Sequence, residues 1–198
     1  MRRPDGNLVR TLLNMMVFAA TAVVPVLALL ALGACTVTGT PVPPPVRIEP
    51  EPNWKVVWPT SMELQGAADT AAAEGNDGVA QLLEFYADTE REYTDIASAA
   101  ITADGAGLVV VRSHLEVDTP LEELVRRTVN DAAEQNVTLS LSPTTLVGQD
   151  AWRVEQPTSV PDLMHVEIWF DYRDERWSVD VLGASGEVDR LAGSVRVD

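Results

Sequence analysis

The sequence is short of reactive side chains. Its 198 residues include one cysteine, two histidines and one lysine. A single cysteine excludes an intramolecular disulfide framework and any cysteine-based zinc cluster. Basic residues are scarce too: 14 against 30 acidic ones give a formal net charge of −16. That balance argues against a nucleic-acid binder, which needs a basic face to displace counterions from phosphates. Glycine-rich nucleotide loops and the H-E-x-x-H metal motif are missing. Asp171, Asp174 and Glu175 fall in one turn without the spacing of a calcium loop and read as a solvated charged turn. Gly183-Ala184-Ser185-Gly186 lacks the spacing of a nucleophile elbow and reads as a turn. His114 ends an expected strand and His165 falls on the polar side of another, so each is expected in a surface or structural role. No catalytic set, metal set or cofactor motif emerges, and the expectation is a protein that is not an enzyme.

The N-terminal region differs from the rest. Arg2, Arg3 and Arg10 stand against a lone Asp5, and Met15–Leu32 then run eighteen residues without a charge. A basic end, an apolar run and small residues before a boundary form a secretory signal. Pro4-Asp5-Gly6 follow Arg2-Arg3 where twin-arginine export wants hydrophobic residues, which favours the general secretion route. Leu32-Gly33-Ala34-Cys35 resembles the bacterial lipobox. The resemblance implies that Leu32, Gly33 and Ala34 are read by the signal peptidase. It also implies that the chain is cut before Cys35 and that Cys35 carries a diacylglycerol, with its amine open to further acylation. The alternative is an uncleaved transmembrane helix, but eighteen residues containing Pro25 are short for a span. Two or three acyl chains anchor far better than one, because each buried methylene contributes about 0.8 kcal/mol.

Residues 1–34 thus read as a lipoprotein signal peptide and 35–53 as the lipidated cysteine with a proline-rich linker. Six of the eighteen residues Thr36–Asn53 are proline, a composition that favours extended polyproline II and a tether. Residues 54–198 have the size of one globular domain. Without residues 1–34 the balance becomes 11 basic against 29 acidic side chains. Anionic headgroups repel such a domain, so the acyl chains on Cys35 are expected to supply the membrane attachment.

Within the domain, Lys55–Trp58 reads as a short strand and Ser61–Asn76, poor in large apolar residues, as irregular structure. Val79, Leu82, Leu83 and Tyr86 have helical spacing, and that helix should fade near Tyr93. Ile96–Thr102 and Leu108–Arg112 read as a hairpin broken by Asp104-Gly105 and Gly107. Thr119-Pro120-Leu121-Glu122 predicts a capping box with proline at the first helical position, opening a helix to about Asn136. The period then changes to two. Val137, Leu139 and Leu141 lead to an expected turn at Ser142-Pro143. Val147-Gly148-Gln149 leads into Ala151–Gln156, then Met164–Phe170, a charged turn at Tyr172–Arg176, and Trp177–Leu182. Gly186–Ala192 suggests a short helix, and Ser194–Val197 a last strand or tail. The expected fold is α+β, an antiparallel sheet with one face on a core and two helices packed against it. Trp169 alternates with the core residues of its strand. An exposed patch shared by Trp152 and Trp169 is the candidate partner surface.

The strand GLVVVRSH, the helix start TPLEELVRR, the LVGQDAWRVE strand pair, the MHVEIWFDYRDERWSVDVLG hairpin and the closing DRLAGSVRV resemble the fold shared by Mog1, PsbP and small actinobacterial lipoproteins of the LpqN type. These are strand, turn and cap patterns, so the resemblance implies a fold and a non-enzymatic accessory or binding role, and transfers no functional residue. The reading that follows is a cell-membrane lipoprotein on the extracytoplasmic face that works beside an envelope protein. One alternative is a carrier of lipid or another hydrophobic ligand, which needs an apolar cavity. A second is an envelope hydrolase, which needs His114 or His165 buried beside a nucleophile and an acid.

Overall fold

The computed structural model describes residues 44–88, 94–114 and 118–198. Seven strands form an antiparallel sheet in the order β2-β3-β4-β8-β7-β6-β5. They span Lys55–Val57 (β2), Thr94–Ile101 (β3), Leu108–His114 (β4), Ser140–Leu146 (β5), Gln149–Pro157 (β6), Leu163–Tyr172 (β7) and Glu175–Ala184 (β8). Val46–Ile48 (β1) and Val195–Val197 (β9) pair antiparallel as a separate ribbon. The helices are α1 (Ser61–Ala73), α2 (Asp77–Asp88), α3 (Leu121–Glu134) and α4 (Val188–Ala192). This is the expected α+β class.

Both faces of the sheet are covered. On one, Val109, Val111, Val166, Ile168, Phe170, Trp177, Val179 and Val181 pack with Val46 and Ile48 of β1, Val195 of β9, and Val188 and Leu191 of α4. Gly183 permits this close docking, since a Cβ there would lie 2.6 Å from Leu191 Cδ1. On the other face, Ala99, Ile101, Leu108, Val110 and Leu182 pack with Leu64 of α1 and with Val79, Leu82, Leu83 and Tyr86 of α2. Helix α3 lies over β5, β6 and β7 on the face that carries Trp152 and buries Val125 and Ala132.

Several local expectations are corrected. The segment expected to be irregular is helix α1. Thr60 caps it by accepting a bond from the Glu63 N–H at 3.3 Å, so Thr60-Ser61-Met62-Glu63 carries the capping-box spacing. Its buried stripe is Leu64, Ala67, Ala68 and Ala71; alanines bring the helix close to α2 without large side chains. The capping box expected at Thr119 does not form: Pro120 occupies the cap position and makes no side-chain cap bond. The described part of helix α2 runs Asp77–Asp88, and its expected fading near Tyr93 falls on residues 89–93, outside the described residues. The turn expected at Ser142-Pro143 is strand, with Pro143 opposite Trp152. Strand β5 is the sheet edge, where a residue without an N–H is tolerated. The β5–β6 turn falls at Val147-Gly148, both left-handed with φ of 49° and 80°, as a primed two-residue hairpin requires.

The proline-rich linker is corrected as well. Strand β1 lies inside the stretch expected to be an extended tether as far as Asn53, and Val46 is fully buried. The apolar residues Val46 and Ile48 of that stretch, set between proline clusters, find a partner strand in β9. We predict that Val46→Ala lowers the unfolding free energy by about 2 kcal/mol, the usual cost of emptying part of a buried aliphatic site. Urea denaturation measures it; an unchanged midpoint is the outcome expected of a free tether.

Candidate functional site: a buried polar layer

Cross-strand neighbours share a sheet face, and the register places a row of polar residues together. Asp180 of β8 lies opposite Glu167 of β7, Leu182 opposite His165, and Ser178 between Arg112 of β4 and Trp169 of β7. All belong to the helix-covered face. The side of β7 and β8 that the alternation marks as polar is therefore interior, and His165, expected in a surface or structural role, is buried there with Glu167, Asp180 and Arg112.

The centre of the layer is an ion pair. Arg112 Nε donates to Asp180 Oδ2 at 2.7 Å, and the same guanidinium donates to Oδ1 at 3.1 Å and to Glu167 Oε1 at 3.3 Å. Trp169 Nε1 donates to Glu167 Oε2 at 3.0 Å. The Arg112 guanidinium also stands over the Tyr86 ring, 5.4 Å from its centroid, so α2 closes the layer from above. His165 Nε2 lies 3.5 Å from Asp180 Oδ1, without the geometry of a hydrogen bond, and is a buried nitrogen with no hydrogen-bond partner.

Burial and charge divide the protons unequally. Burial opposes ionisation of Asp180, but Arg112 outweighs it and holds this carboxyl well below its ordinary range. Glu167 is pushed up to about 7, by burial first and then by the Asp180 charge. Burial works against a charged His165; the neighbouring Asp180 and the Glu167 charge outweigh it and raise its pKa. Tyr86 is raised by burial and by Asp180, which keeps the phenol neutral.

A second group borders the first. His114 Nε2 is 2.9 Å from Ser178 Oγ, and its ring stacks on Trp169 with centroids 4.4 Å apart. Burial, helped by the Arg112 charge, lowers the His114 pKa to about 3. Such an imidazole is a poor general base near neutrality, and Ser178 is wholly buried. The pair has the atoms of a serine–histidine dyad without a reachable nucleophile.

Trp152 and Trp169, the candidate partner surface, are cross-strand partners and both half-buried. Arg126 of α3 covers the Trp152 ring at 5.3 Å, and Trp169 is held by His114 and Glu167. Leu32, Gly33, Ala34 and Cys35 lie outside the described residues. Among those described, no helix is long and apolar enough to cross a membrane. Two shallow depressions flank α3. One, of about 350 Å³, is lined by Val129, Ala133 and Asn136 to Leu139; the other, of about 710 Å³, by charged residues such as Glu122, Arg126 and Arg127. Neither is an enclosed apolar cavity. Among the described residues, the most exposed large apolar side chains are Trp58 and Met62, 72% and 80% exposed, beside the edge strand β2.

Sequence reasoning missed the polar layer. The available signals were the apolar residues on the supposedly wet side, Leu182 and Trp169, and the one arginine ending the Leu108–Arg112 run. These mark a face that is covered.

No protein-family model and no curated sequence matches the chain. Three solved structures show a loose likeness in fold. Cyanobacterial PsbP from Synechocystis sp. is 16% identical, over 56% of this chain and 79% of that one, with a TM-score of 0.37. A Pseudomonas aeruginosa protein of unknown function is 14% identical, over 52% and 77%, at 0.32. LpqN, involved in cell envelope biogenesis of Mycobacterium tuberculosis, is 8% identical, over 79% and 81%, at 0.31. At these scores the likeness carries no functional argument, and function rests on this chain's own residues.

Two outcomes follow from the layer. Asp180→Asn leaves Arg112 buried beside a weakened partner and is expected to cost about 3–5 kcal/mol of stability by chemical denaturation. His114, whose folded pKa lies below its unfolded value near 6.5, gives up stability as pH falls from 6.5 towards 3, because only the unfolded chain takes up its proton there. His114→Gln should flatten that part of the stability-against-pH curve; equal slopes for both proteins refute the assignment.

Proposed function

We propose that this chain is a non-enzymatic accessory module of the bacterial cell envelope, held at the extracytoplasmic face of the membrane by acyl chains on Cys35. The observation that carries the reading is Leu32-Gly33-Ala34-Cys35 at the end of an eighteen-residue charge-free run. The start of the folded domain supports it. Ten residues separate Cys35 from Val46, so at about 3.1 Å per residue the spacer reaches roughly 31 Å. The domain then stays within that distance of the membrane. An enzymatic role is disfavoured by the buried Ser178 and the weakly basic His114, and a carrier role by the solid packing on both sheet faces. The partner is an envelope protein.

Cys35→Ala in the full chain, expressed in a bacterial host fed an alkyne-tagged fatty acid, is expected to abolish lipid labelling and leave the signal uncleaved at this site. Equal labelling and anchoring of the variant overturns the lipid anchor. Affinity purification of the wild type from solubilised membranes is expected to recover one envelope protein. Recovery of none overturns the accessory role and leaves the anchor standing.

A further inference from the structure

We infer that His165, Glu167 and Asp180 form a binding site for a single divalent transition-metal ion, with zinc the best match. The three residues project from adjacent strands β7 and β8 onto one buried face, and one ligand atom from each lies within 4.8 Å of the other two. The separation of His165 Nε2 from Asp180 Oδ1 is informative. At 3.5 Å it is long for a hydrogen bond. Two ligands on one tetrahedral zinc, with bonds near 2.1 Å, stand about 3.4 Å apart. The imidazole Nε2 is buried, faces Asp180 Oδ1 and has no hydrogen-bond partner. A buried polar atom in that state is uncommon, and a metal bond would satisfy it.

The donor set fits the chemistry. One imidazole and two carboxylates suit zinc, or a similar first-row dication, better than calcium, which takes oxygen ligands in larger number. With both carboxyls ionised and His165 neutral, two negative charges face the single positive charge of Arg112, and the excess favours a cation. Arg112 does not block the site. It supplies one hydrogen bond to each oxygen of Asp180, and a carboxylate oxygen has a second lone pair. Together with Trp169 Nε1 on Glu167 it supplies the outer hydrogen bonds that orient metal-binding carboxylates. The polypeptide spacing supports the same reading. His165 and Glu167 are two residues apart on one strand, so they share a face, and Asp180 is the cross-strand neighbour of Glu167.

The test uses the full chain in detergent after chelator treatment, titrated above neutral pH with cobalt(II) and with zinc. Cobalt is expected to give the intense visible bands of four-coordinate geometry, saturating at one equivalent, and zinc to bleach them. In ¹⁵N spectra of imidazole-labelled wild type, zinc is expected to shift His165 Nε2 and leave His114 in place. His165→Gln and Glu167→Gln are each expected to lose the bands while retaining a cooperative melt. If no such bands form, or only the weak spectrum of six-coordinate surface carboxylates appears, the inference is wrong. It is equally wrong if a folded His165→Gln variant keeps the bands. Should both variants fail to fold, the wild-type nitrogen shifts decide: an unmoved His165 Nε2 overturns the site.

Discussion

The pairing of Arg112 with Asp180 is the constraint on which the helix-covered half of the molecule depends. Asp180 is wholly buried at the middle of the sheet, and an uncompensated carboxylate there is far too costly to fold around. Its partner comes from the neighbouring strand β4. The guanidinium in turn lies under Tyr86, which fixes where α2 crosses the sheet. Glu167, drawn in by the same guanidinium, then sets Trp169, and Trp169 sets His114. The buried cluster on the opposite face is aliphatic and aromatic, with Arg153 paired to Glu155 and Asp189 alongside it.

Much of the fold is legible in the sequence because strong periodicity survives burial. The Leu108–Arg112 strand, the β7–β8 hairpin and the α3 helix stand where their apolar spacing predicts. The failures have physical causes. Helix α1 escapes because its buried stripe is mostly alanine, which contributes little to any apolar pattern while packing tightly against α2. Strand β5 is disguised by Pro143, which signals a turn in isolation but is harmless on an edge. Strand β1 is three residues long inside a proline-rich segment, and only its distant partner β9 makes it a strand.

The polar layer was misread for a different reason. Alternation of apolar and polar residues says which side of a strand faces the main core; it does not say that the other side is wet. Once three helices cover that side, His165, Glu167, Ser178 and Asp180 change from surface residues into the most constrained ones in the domain. The candidate site was therefore present in the sequence as residues but not as a constellation, since the alignment of β4, β8 and β7 is a property of the register. The proposed membrane-anchoring signal is the reverse case. Leu32-Gly33-Ala34-Cys35 is contiguous and needs no fold to be read.

The β1–β9 ribbon has a mechanical meaning. Arg47 pairs with the Asp198 side chain, and Asp198 N–H bonds the Pro45 carbonyl at 3.0 Å. Residues 45 and 198 therefore sit side by side. Any pull transmitted along the chain ahead of Pro44 enters the domain at β1. A pull directed along the β1 axis, with β9 held at its Val195 end, loads their hydrogen bonds in shear, whereas a pull across that axis opens them one at a time. The side-by-side placement of residues 45 and 198 also means that a label or fusion attached after Asp198 leaves the domain beside the point where β1 begins.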